Sequence, residues 1–85
     1  MKPKDKKPLS SNHSLEWGES TWDSTEFSIR NRYEKASGGY NQAGSSELPW
    51  DDFKIMLKES ILRNHFSNIE LGEIMDDISA KLKTL

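Results

Sequence analysis

Apolar and polar positions along the chain separate a sparse first third from a strongly periodic end. From Asn68 to about Thr84, Leu71, Ile74, Met75, Ile78, Leu82 and Leu85 recur at spacings of three and four. At roughly 100° per residue this spacing places them on one face of a helix. Glu70, Glu73, Asp76, Asp77, Lys81 and Lys83 lie mostly off that face. The acids come first and the lysines last, the order that a helix dipole favours. Immediately upstream, Ser67 and Glu70 have the spacing of a capping box, with Phe66 and Leu71 at the positions of its hydrophobic staple.

A first helix is expected to open at Leu48-Pro49, because proline is tolerated where the backbone N–H has no partner in any case. Ser46 and Leu48 are both candidate N-caps, and Asp51 and Asp52 suit the positive end of the dipole. This helix carries two apolar stripes. Trp50, Phe53, Leu57 and Ile61 form one, while Ile55, Leu62 and Phe66 form another on nearly the opposite side. The second helix can cover only one of them, so the other must meet the rest of the chain, a second copy or a different protein. The short link between the helices predicts an antiparallel or steeply angled pair.

Between Thr25 and Glu34, Phe27, Ile29 and Tyr33 alternate with Ser28, Arg30, Arg32 and Glu34, and Asn31 interrupts the apolar face. Ala36-Ser37-Gly38-Gly39 reads as a turn, from which Tyr40–Gln42 could return as a short strand. Gly44–Glu47 reads as a linker. Residues 1–24 show no period of 2 or 3.6 and are rich in Lys, Pro, Ser and Asn, which predicts a flexible tail. Trp17 and Trp22 are unusual in such a tail, since disordered segments are poor in aromatics; they mark either cover for a small core or a docking segment. The expected fold is therefore α+β and mainly α: a flexible tail over residues 1–24, then a hairpin and two amphipathic helices over residues 25–85.

Composition adds limits. Only 33% of the residues are hydrophobic and 31% are charged, so a core formed by one such chain is small and its stability marginal. There is no cysteine, which removes disulfides and thiolate metal sites and makes a reducing cytoplasm the expected compartment. No apolar run follows the basic start Met1–Pro8, and none approaches the ~20 residues of a membrane helix. Asn12-His13-Ser14 fits a glycosylation sequon by pattern alone. The net charge is −2, but it alternates in blocks: +3 over residues 1–8, −4 over 9–29, +2 over 30–35 and −3 thereafter. That suits a docking chain better than a nucleic-acid binder with one basic face.

Candidate chemistry is thin. His13 falls in the tail and His65 at the end of the first helix, where a charged ring suits the dipole; neither has the neighbours that nucleophilic or acid–base catalysis needs. Glu70, Glu73, Asp76 and Asp77 spread over a broad helical face with no calcium-loop pattern. The glycines at 38, 39 and 44 lack the lysine and the context of a phosphate loop. No catalytic residue, metal or cofactor is expected. The function expected is that of a small non-enzymatic adaptor, regulator or inhibitor, which binds a larger protein or self-associates through Trp17, Trp22, Ile55, Leu62 and Phe66. The alternative is a nucleic-acid-binding regulator that uses Arg30, Arg32 and Lys35.

Overall fold

The computed structural model describes residues 1–85. The chain forms β1 (Lys2–Ser10), β2 (His13–Glu19), β3 (Phe27–Tyr33), β4 (Ser46–Pro49), α1 (Trp50–Leu62) and α2 (Asn68–Leu82). The strands make an antiparallel sheet in the order β1-β2-β3-β4. Two compact units result, Met1–Phe53 and Lys54–Leu85, divided within α1.

This corrects the expected fold. Strand makes up 34% of the chain and helix 33%, so it is not mainly α, and residues 1–24 are not a disordered tail but hold the first hairpin of the sheet, β1 and β2, and the start of the connection to β3. The tail reading failed because every residue of β1 is exposed, so no apolar pattern marks it. Backbone pairing to β2 holds it, with Lys7 opposite Leu15 and Asp5 opposite Trp17. Pro3 and Pro8 border the register shifts of this pairing. Prolines are confined to such edges and bulges because they cannot donate to a ladder. The lysines along the edge discourage pairing with a further strand.

Gly18 is required where it sits. A Cβ there would stand 2.1 Å from the Lys2 carbonyl oxygen and 2.8 Å from the Pro3 Cα, inside β1 itself. The β2–β3 connection is closed by Asp23, whose Oδ1 accepts from the Thr25 N–H at 2.9 Å and the Thr25 hydroxyl at 2.7 Å. The hydroxyl, and then the amide, hold the Asp23 carboxyl below the usual carboxylate range.

Beyond β3, the expected turn forms, with Gly38 at φ 88° and Gly39 at φ 86°. Tyr40–Gln42 does not form a returning strand, however. Tyr40 makes a single bridge to Glu34, and β3 instead pairs with β4, where a linker was expected. The Ser45 hydroxyl allows this detour: it accepts from the Tyr33 N–H at 2.9 Å and donates to the Asn41 carbonyl at 2.6 Å.

In the second unit the helix ends follow local rules. Asn64 has φ 63°, and the His65 N–H reaches the Ser60 carbonyl at 3.1 Å while the Asn64 N–H reaches Ile61 at 3.2 Å. These two bonds form a Schellman cap on α1, with asparagine in the left-handed position. The capping box of α2 is present: the Glu70 N–H donates to Ser67 Oγ at 3.1 Å and the Ser67 N–H to Glu70 Oε1 at 2.8 Å. The expected burial of one helix stripe on the other is not found, since neither helix contains a buried residue. No helix is long and apolar enough to cross a membrane.

Candidate functional site

Alternation along β2 and β3 sorts side chains between two faces of the sheet. One face receives Ser14, Glu16, Ser28 and Arg30, all of them buried. Arg30 donates to the same Glu16 oxygen from Nε at 2.9 Å and from Nη2 at 2.7 Å. Arg32 Nη1 lies 3.8 Å from that oxygen, and its Nε stands 3.3 Å from Glu34 Oε1 as an ion pair without an aligned hydrogen bond. The Tyr40 ring lies 4.7 Å from the Arg30 guanidinium and 4.8 Å from that of Arg32. The loop that failed to become a strand therefore supplies the ring against which both arginines rest.

The opposite face is apolar and open. Leu15 and Trp17 from β2, Ile29 from β3, Leu48 from β4, and Trp50 and Phe53 from the start of α1 line a groove of about 440 Å³, with Asn31 and Ser46 as its polar members. All six apolar residues are half-buried. Register brings them together: Trp17 stands opposite Ile29, and Ile29 opposite Leu48. Trp50 stacks on Phe53 at 5.1 Å between ring centroids and meets Phe27 edge-on at 5.4 Å. The aromatic side of the groove is thereby fixed without being covered.

The proposed binding residues fall in separate places. Trp17 lies in the groove, but Trp22 belongs to the β2–β3 connection, half exposed, with its Nε1–H donating to Glu26 Oε2 at 2.8 Å. One stands on a strand and the other in the connection that follows it. Ile55 and Leu62 are 60% and 65% exposed on α1, and Phe66 is half-buried beyond its end. Arg30 and Arg32 do come together, but around Glu16, Glu34 and Tyr40, while Lys35 is exposed in the following turn.

His13 sits on β2 rather than in a tail. Its ring stacks on Tyr33 at 4.2 Å and bonds to Asn31 Oδ1 through Nε2. His65 contributes a backbone bond to the α1 cap. No group of three or more His, Asp or Glu side chains is placed to hold a metal ion.

Sequence reasoning missed Ile29, Leu48, Trp50 and Phe53 as companions of Trp17. The signal that could have found them is the shared alternation of Leu15-x-Trp17 and Phe27-x-Ile29, which suits two adjacent strands. Compared with protein-family models, curated proteins and solved structures, the chain matches none.

Proposed function

We propose that this chain is a small non-enzymatic protein-binding subunit, an adaptor, regulator or inhibitor, whose open sheet face receives apolar side chains of a larger protein. One observation carries this reading: no apolar residue of the chain is buried, whereas the buried residues include Glu16 and Arg30. Apolar burial contributes about 25 cal/mol per Å² removed from water. A chain that leaves its tryptophans and leucines half-covered still has much of that gain to realise, and association supplies it.

The groove has the makeup of an interface anchor site. Trp17 and Trp50 offer large, stiff surfaces, Asn31 and Ser46 provide polar groups at its margin, and its volume of about 440 Å³ suits a few inserted side chains. Occupancy is the mechanism: an inserted partner segment is held, and whatever else that segment binds is displaced. The lack of cysteine agrees with a cytoplasmic setting.

The alternative, a nucleic-acid regulator acting through Arg30, Arg32 and Lys35, has less support. Glu16 and Glu34 already take the charge of both arginines, and phosphate would have to displace them. The test compares retention of a partner by the immobilised wild-type chain and by Ile29→Asp, which puts a carboxylate into the groove. Loss of retention with an unchanged circular dichroism spectrum is expected; undiminished retention rejects the groove as the binding site.

A further inference from the structure

The apolar groove of the sheet does not end at Trp50. Trp50 and Phe27 also line a neighbouring cavity of about 460 Å³, whose walls include Glu26, Asp51 and Asp52. The rings run unbroken from one to the other, since Phe53 stacks on Trp50 and Trp50 meets Phe27 edge-on. Phe27 is 48% exposed, so its ring remains open to contact. The aromatic side of the groove therefore leads into a corner lined by three carboxylates and by no lysine, arginine or histidine.

The charges around this corner do not neutralise it. Along β1, Lys7 opposite Leu15 is balanced by Asp5 opposite Trp17. At the Phe27 end, Lys2 stands opposite Glu19 and Lys4 Nζ lies 3.5 Å from the same carboxylate, while Asp23 shares a cavity with Lys2 and Glu19. The Met1 ammonium is matched by Glu47 at 3.9 Å. Lys54 follows on α1 and offsets one of the three carboxylates, and the positive end of the helix offsets about half a charge more. An excess of roughly one and a half negative charges remains beside the Phe27 and Trp50 rings. A purely apolar segment in the groove would leave it unmatched, and an acidic one would be repelled. A basic side chain satisfies both features: its cation is attracted by the ring faces and by the carboxylates together.

We infer that the segment seated in the sheet groove carries an arginine or lysine beside its apolar anchors, and that this basic side chain enters the corner formed by Glu26, Phe27, Trp50, Asp51 and Asp52. The inference rests on the groove reading given above and adds the chemistry of the partner to it: apolar side chains over Trp17, Ile29 and Leu48, then a cation.

Peptides selected from a displayed random library on the immobilised full chain test this. Those whose binding is lost on Ile29→Asp occupy the groove, and they should carry arginine or lysine next to apolar residues. Glu26→Gln combined with Asp52→Asn keeps side-chain size and should weaken such a peptide about tenfold. Replacing the basic residue of the peptide by glutamine should cost about the same, and it reads the same contact without touching the fold of the chain. The two changes together should cost little more than either alone, because they remove one interaction. Wild-type affinity should also fall as salt rises, and that of the double variant much less. Groove peptides without a basic residue, or with equal affinity for the double variant, overturn the inference and leave the groove standing. If no selected peptide depends on Ile29, the groove reading falls and this inference falls with it.

Discussion

Arg30 donates two hydrogen bonds to a single oxygen of Glu16, and these two residues, at 6% and 2% exposure, are among the most buried in the chain. The usual order of a small sheet is reversed, with the ion pair covered and the tryptophans open. A buried pair is weak evidence for net stability, but breaking it leaves one charge without a partner. Glu16→Ala should therefore cost about 3 kcal/mol in chemical unfolding. Replacing both residues, Glu16→Leu with Arg30→Met, should cost less than Glu16→Ala alone. A double variant that is worse than the single one would show that the pair itself, and not its broken half, sets the stability.

Gly18 carries the contact between β1 and β2. Gly18→Ala forces a methyl group against the Lys2 carbonyl and should loosen the first strand at a cost of about 1–3 kcal/mol. Amide exchange is expected to accelerate across Lys2–Ser10 while β3 and β4 remain protected.

The helix ends can be tested separately from the sheet. Ser67→Ala removes the hydroxyl that caps α2 and should lower stability by about 1 kcal/mol, with reduced helicity by circular dichroism. At the other cap, Asn64→Gly should be tolerated because glycine enters the left-handed region freely, whereas Asn64→Val should be destabilising by about 1–2 kcal/mol.

The β2–β3 connection should respond to acid. The Asp23 carboxyl is held below its ordinary value by the Thr25 hydroxyl and amide, so its stabilising contribution is complete above that ordinary value. It is lost as pH falls through the lower value in the folded chain. Carboxyl titration followed by NMR should therefore give a depressed midpoint for Asp23, and Thr25→Val should move it back up.

The helical half could be read from the sequence because its signals are local. Ser67 and Glu70 lie three residues apart, and Pro49 marks the start of α1 to within two residues. The sheet was largely hidden, because its pairings join residues far apart in the chain that carry no apolar label. Lys7 faces Leu15 and Arg30 faces Glu16, and neither β1 nor the polar face of β2 looks like a strand taken alone. Trp17 could be singled out as a candidate by its chemistry. Its groove could not, because Ile29, Leu48 and Trp50 converge on it only once the register is set. The two-stripe pattern of α1 raised the question of missing cover for the helices, and the half-buried groove of the sheet raises it as well.

The open face of the sheet is the proposed docking place for another protein. A photo-crosslinking residue placed at Ile29, with a control at Lys6 on the other side of the sheet, tests it most directly in the cell that makes this chain. A discrete adduct with a larger polypeptide is expected from position 29, lost on Trp17→Ala, and none from position 6. Equal labelling from both positions, or an adduct from position 6 alone, would contradict it.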